Sequence, residues 1–308
     1  MKLNNTKKYI ALFTKGFCMG SADVIPGVSG GTIAFILGIY AELINAIKSF
    51  NREWLKSIIA IDLRNIIDRP HFGFLLPLFA GIVSALMFFT RVVPLPELLH
   101  EYPEQIYGLF FGLISGSVIV LFKEVVKLDR KTVLPLIAGI VFGLIVFNLV
   151  PMETPESAWF IFLSGILALC AMLLPGISGS FILLILNKYA FVFNAIGYFR
   201  FSVIIPFALG AVTGLAMFSR VLSWLLKKYH QQTIVTIIGL LIASLWVIWP
   251  FQERIYETVR NKPRLVQSIP YFPTDLSQTV LFAVFMIIVG FGVVIILERL
   301  AIIREKAE

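Results

Sequence analysis

Residues 26–40 read PGVSGGTIAFILGIY, and residues 175–189 read PGISGSFILLILNKY. Eight of these fifteen positions are identical at a constant offset of 149 residues. Apolar helices resemble one another by composition, but they do not share Pro, Gly and Ser in a fixed order. The chain therefore carries an internal repeat, and the repeated unit is a place where a helix must break. Proline removes a backbone donor, and the residue before it avoids the helical region. Pro26-Gly27 and Pro175-Gly176 are the breaks; Ser29 and Ser178 can cap the helices that restart after them.

Further matches flank the motifs. Residues 76–93, LPLFAGIVSALMFFTRVV, align with residues 205–222, IPFALGAVTGLAMFSRVL, setting Pro77, Gly81 and Arg91 against Pro206, Gly210 and Arg220. The offset has fallen from 149 to 129, so the first half holds 20 more residues between its motif and its next span. A weaker match sets Gly112 and Ser117 against Gly239 and Ser244, and the last spans correspond by order alone.

The surroundings are those of a membrane protein. Hydrophobic residues make up 58% of the chain and charged ones 14%, with a mean hydropathy of +0.90; soluble domains run at about 25% charged. No charge occurs between Lys131 and Glu153, Arg200 and Arg220, His230 and Glu253, or Asp275 and Glu298. Such continuous runs suit helices of about 20 residues rather than the alternating strands of a barrel. The net charge of +8 sits in short loops between spans, the positive-inside pattern, and does not call for nucleic acid. Cys18 and Cys170 lie in apolar stretches and read as small core residues. Lys2, Lys7 and Lys8 precede an apolar run that Asp23 and Pro26 interrupt, which does not fit a cleaved signal peptide.

Residues 157–187 hold 31 uncharged positions with Pro175-Gly176 in their middle, too many for one straight span. A hairpin of two half-helices fits better. The expected fold is an all-α polytopic membrane protein with an inverted repeat, each half a broken-helix hairpin plus three spans. The first repeat, 1–150, has a hairpin at 9–47, a surface helix at 51–69 and spans at 72–94, 105–122 and 132–150. The second, 151–308, has a hairpin at 157–197 and spans at 201–226, 233–250 and 278–297. Residues 251–277 form an outer loop in this reading, an exception to the positive-inside pattern because it holds Arg254, Arg260, Lys262 and Arg264, partly balanced by Glu253 and Glu257. A hairpin plus three crossings is an odd number, so the halves run in opposite senses, with both termini on the cytoplasmic side. Inverted repeats with broken helices near the midplane are the architecture of secondary transporters.

Helix starts expose unpaired N–H groups and a partial positive charge, which suits an anion, phosphate in particular. The candidate binding residues are Ser29, Gly30, Gly31 and Thr32 in the first copy and Ser178, Gly179 and Ser180 in the second. Arg91 and Arg220, equivalent by the repeat, are candidate phosphate ligands; the competing reading is snorkelling to headgroups. Asp23 and Glu42 are candidates for proton coupling. Asp23 can instead simply cap a helix, and Glu42 and Lys188 also suit the membrane interface. The competing role for both motifs is close helix packing. The sequence offers no metal cluster and calls for no cofactor. A phosphatase or transferase would want a histidine nucleophile or a metal, whereas His71, His100 and His230 lie in or near loops. An enzyme is therefore disfavoured, while a small-anion channel or transporter would use the same helix ends.

The stretch KGFCMGSADVIPGVSGGTIAFILGIYAELI at 15–44, with LLPGISGSFILLIL at 173–186, resembles the signature of the bacterial polyprenyl-phosphate transporter family, PopT, formerly a domain of unknown function. The resemblance implies translocation of undecaprenyl phosphate across the bacterial cytoplasmic membrane for reuse in envelope synthesis. The partners would be the polyprenyl phosphate and membrane lipids, and a homo-oligomer is compatible with it. The second copy lacks an acid matching Asp23 and has Phe181 where the first has Thr32.

Overall fold

The computed structural model describes residues 2–24, 28–62, 70–93, 98, 101–124, 129–149, 154–259 and 262–307. The first half holds α1 (Lys2–Asp23), α2 (Gly30–Ile36), α3 (Tyr40–Lys48), α4 (Arg52–Ile59), α5 (Phe72–Arg91), α6 (Pro103–Glu124) and α7 (Arg130–Phe147). The second holds α8 (Ala158–Leu173), α9 (Gly179–Ile185), α10 (Tyr189–Gly197), α11 (Phe201–Lys228), α12 (His230–Val247), the strands β1 (Gln252–Val259) and β2 (Lys262–Pro270), and α13 (Gln278–Ala307). Among the described residues, α5, α6, α11, α12 and α13 are long and apolar enough to cross a membrane. Their outward faces carry large apolar side chains such as Phe79, Leu209, Met217 and Ile288, as a surface in lipid requires.

The breaks are not simple hairpins of two half-helices. After each break the chain makes a seven-residue helix and then turns again. The bend between α9 and α10 is 113°. A left-handed residue causes the second turn, Gly38 at φ +68° and Asn187 at φ +52°. The amides of Ile39 and Lys188 then reach back five residues to the carbonyls of Ala34 (3.0 Å) and Leu183 (2.8 Å). That is the Schellman closure of a helix C-terminus.

Helices pair through glycine. A Cβ at Gly16 would sit 2.0 Å from the Leu78 carbonyl oxygen, and one at Gly81 would sit 2.1 Å from that of Phe13, so α1 and α5 touch backbone to backbone. α8 packs against α11 in the same way, α6 against α13 and α7 against α12. The second span of each half thus lies on the third span of the other. The core between them includes Ile44, Leu78, Ile114, Leu222, Ile237 and Leu241.

Four local readings differ from the sequence. The surface helix is seen only over Arg52–Ile59, started by Asn51 Oδ1 accepting from the Trp54 amide at 2.9 Å, and 63–69 lie outside the described residues. The expected loop at 251–277 contains a two-stranded antiparallel ribbon. Cys18 is exposed rather than in the core, and Cys170 is half-buried. Lys188 is buried, not interfacial: its Nζ donates to the Thr154 carbonyl at 2.8 Å and lies over the rings of Phe191 and Phe160.

Candidate functional site

The first motif begins where α1 ends, at Asp23. Pro26 and Gly27 lie outside the described residues. Ser29 is the N-cap of α2, in extended conformation, and its Oγ accepts from the Gly31 amide at 3.1 Å. The Asp23 carboxylate accepts from the Gly30 amide at 2.7 Å. A Cβ on Gly30 would lie 2.6 Å from Asp23 Oδ2, so only glycine lets the carboxylate reach the backbone. Ser29 and Thr32 are buried. The helix start thus holds an anion, and that anion belongs to the chain itself.

The second motif turns at Pro175-Gly176, directly after α8. Gly176 has φ +92°, and a Cβ there would also meet the Leu240 carbonyl oxygen at 3.1 Å. Its amide donates to Thr32 Oγ1 at 2.8 Å. Just upstream, the Tyr40 hydroxyl donates to the Leu173 carbonyl at 2.5 Å. A Cβ on Gly31 would lie 2.9 Å from the Met172 carbonyl oxygen. The two motifs therefore touch, the start of α2 against the end of α8. Ser178 is the N-cap of α9, but its hydroxyl bonds Ser180 Oγ at 2.6 Å rather than a backbone amide. Gly179 faces the Ala168 carbonyl.

The Thr32 contact predicts a measurable cost. Thr32→Val keeps the shape but leaves the buried Gly176 amide unpaired. An unsatisfied buried donor costs about 1–3 kcal/mol. Thermal unfolding in detergent should show that loss for Thr32→Val and little of it for Thr32→Ser. Equal melting of the two variants would mean that the hydroxyl contributes nothing there.

The other sequence candidates whose side chains are described make no hydrogen bond to either motif. Arg220 donates to the carbonyls of Ala216 and Phe50, the latter at 3.5 Å. The Arg91 side chain lies outside the described ones. Glu42 is exposed in the first turn of α3. His71 and His230 are exposed, and His100 lies outside the described residues.

A cavity of about 660 Å³ escaped the sequence reading. Its apolar lining includes Phe35, Ile36, Leu121 and Val294, and its polar lining includes Asn45, Ser223 and Lys227. Tyr40 joins it to the crossing, because its ring lines the cavity while its hydroxyl holds Leu173. Phe35 packs edge-on against that ring at 5.3 Å.

The chain matches the model of a family described as VCA0040-like, undecaprenyl phosphate translocase-like, over residues 19–266. It is 38% identical over 272 residues to a protein of Vibrio cholerae serotype O1 named polyprenyl-phosphate transporter, covering 88% of this chain and 87% of that one. A Staphylococcus aureus protein of the same name is 32% identical over 256 residues, 77% of this chain and 84% of that one. No solved structure matches.

Proposed function

The chain belongs to the undecaprenyl phosphate translocase-like family, and on that premise we propose that it is a transporter, not an enzyme, that moves polyprenyl phosphate across the bacterial cytoplasmic membrane. The observation that carries the reading is the Asp23 carboxylate on the Gly30 amide. A helix start buried among apolar side chains already binds an anion, and a phosphate monoester is an anion of about −1.5 to −2 near neutral pH.

The phosphate takes the place of the carboxylate at Gly30 and Gly31, with Ser29 and Thr32 beside it. Ser178, Gly179 and Ser180 supply the second half of the site, and the break at Pro175-Gly176 holds that start open. Arg91 and Arg220 meet the phosphate on its way to the crossing, while Asp23, with Glu42 at the interface, carries the coupling proton. The polyprenyl tail stays in the bilayer.

The halves run in opposite senses, with both termini cytoplasmic. The support is the reciprocal packing of α6 on α13 and α7 on α12, together with the matched lengths of α2 and α9, seven residues each, and of α3 and α10, nine each. A pair of halves related by a two-fold axis in the membrane plane can rock about the crossing and expose it to each side in turn.

Proteoliposomes carrying labelled undecaprenyl phosphate in one leaflet test this. Wild-type protein should speed its appearance in the other leaflet, and undecaprenol should not move faster. Movement of inorganic phosphate at the same rate would instead identify a small-anion carrier.

A further inference from the structure

The cavity beside the crossing combines features that a helix bundle does not need for its own stability. Its wall is apolar where Ile36, Leu121 and Val294 face it. Its polar side joins two elements, α3 and α11. Lys227, near the end of α11, lines it directly. Lys48, at the end of α3, donates to Ser223 Oγ at 3.2 Å, and Ser223 donates to Asn45 Oδ1 at 3.3 Å. Ser223 and Asn45 both line the cavity, so Lys48 stands one hydrogen bond behind the wall.

No carboxylate among the described residues pairs with Lys48 or Lys227. Lys227 is exposed and Lys48 half-buried, so both keep their charge in water and stand ready for an anion that enters the cavity. The repeat does not dictate them either. At the offsets of 149 and 129, Lys48 and Lys227 correspond to Gly197 and Leu98. The fold is duplicated, but this charge is not.

We propose that this cavity is a second station for a lipid phosphate, its monoester held by Lys227 with Ser223 and Asn45, which Lys48 backs from behind, and its hydrocarbon laid along Ile36, Leu121 and Val294. The assignment rests on the transport function proposed above and adds to it a place where the headgroup waits on one face only. Tyr40 separates this station from the crossing, so the phosphate passes Tyr40 to reach Gly30. A shared wall of cations and apolar side chains selects a phosphate that carries a tail, because neither an inorganic ion nor a neutral prenol uses both.

The test is binding of labelled undecaprenyl phosphate to the full chain in phosphatidylcholine nanodiscs. The double variant Lys48→Gln, Lys227→Gln should bind on the order of tenfold more weakly, since one charge-assisted contact and the positive charge behind it are lost. Lys228→Gln, whose Nζ lies instead over Trp224 and Tyr229, should bind like wild type, and Lys227→Arg should nearly do so. Inorganic phosphate and undecaprenol should compete poorly. Unchanged binding in the double variant, or an equal loss in Lys228→Gln, overturns the station while leaving the transport function intact. Equal competition by inorganic phosphate overturns its lipid selectivity. A wild-type chain that binds no undecaprenyl phosphate overturns both the station and the function on which it rests. Elution of each variant at the wild-type volume establishes that it is folded.

Discussion

Gly210→Leu is expected to yield no folded, monodisperse protein, and Gly81→Leu to fail in the same way. A Cβ at Gly210 would sit 2.0 Å from the Phe162 carbonyl oxygen, and one at Gly81 2.1 Å from that of Phe13. Neither neighbour is a side chain that can swing aside. The contact is also reciprocal: Gly165 faces the Phe207 carbonyl as Gly210 faces Phe162, and Gly16 faces Leu78 as Gly81 faces Phe13. The helices of each pair would have to part along their length. Adding methylenes to a packed core costs about 1–3 kcal/mol even where side chains can adjust. In a bilayer no hydrophobic force draws separated helices back together, because lipid tails are as apolar as leucine, and the close packing that would hold them is what the added side chain removes. The ends of α1 and α8 carry the two breaks, so the crossing is lost with the pairing. The matched control is Gly292→Leu on α13, where a Cβ would meet nothing within 4 Å. It should elute and melt like wild type. Native-like elution of Gly210→Leu in the same experiment would refute the close pairing.

The breaks were legible because their chemistry is local. Ser29 is two residues from the amide it caps, and Gly176 is needed where the backbone turns left-handed against Leu240. The turns that follow were hidden because the two copies solve them differently. Glycine adopts the left-handed turn at position 38 and asparagine at 187, and Asn-Lys does not resemble Gly-Ile. The ribbon at 252–270 was missed for a similar reason. Its pairing jumps from Ile255 with Gln267 to Tyr256 with Leu265, which leaves Val266 as the extra residue of a bulge. A bulge breaks the alternation by which strands are recognised. The cavity had no linear signal at all. Asn45, Ser117, Ser223, Lys227 and Val294 come from four helices, and in the sequence Lys227 reads only as an inside flank. Asp23 was legible as an expensive charge, but not its partner seven residues on, because no local pattern sets a carboxylate at the end of one helix against the first amide of the next.

Asp23→Ala is expected to tighten undecaprenyl phosphate binding and slow transport, each by about tenfold, a factor that corresponds to roughly 1.4 kcal/mol. The Asp23 carboxylate and an incoming phosphate compete for one amide, that of Gly30. Two unit charges 4 Å apart repel by about 4 kcal/mol at an effective dielectric constant of 20, so they do not share the start of α2. While the phosphate is bound, the carboxylate is displaced, and its return helps expel the lipid. Alanine removes the competitor. The lipid then binds an unopposed start and leaves slowly, so a carrier limited by release loses turnover in proportion. Asp23→Asn keeps an acceptor for Gly30 but loses the charge, and should fall between the two. The alternative is that Asp23 does no more than cap α2. A cap of that kind contributes about 1 kcal/mol to stability, and its loss would lower the melting temperature without raising affinity. Binding and transport measured on the same preparations separate the two cases. Tighter binding with slower turnover requires the carboxylate to act as a resident substitute for the phosphate; unchanged or weaker binding in a less stable protein reduces it to a cap.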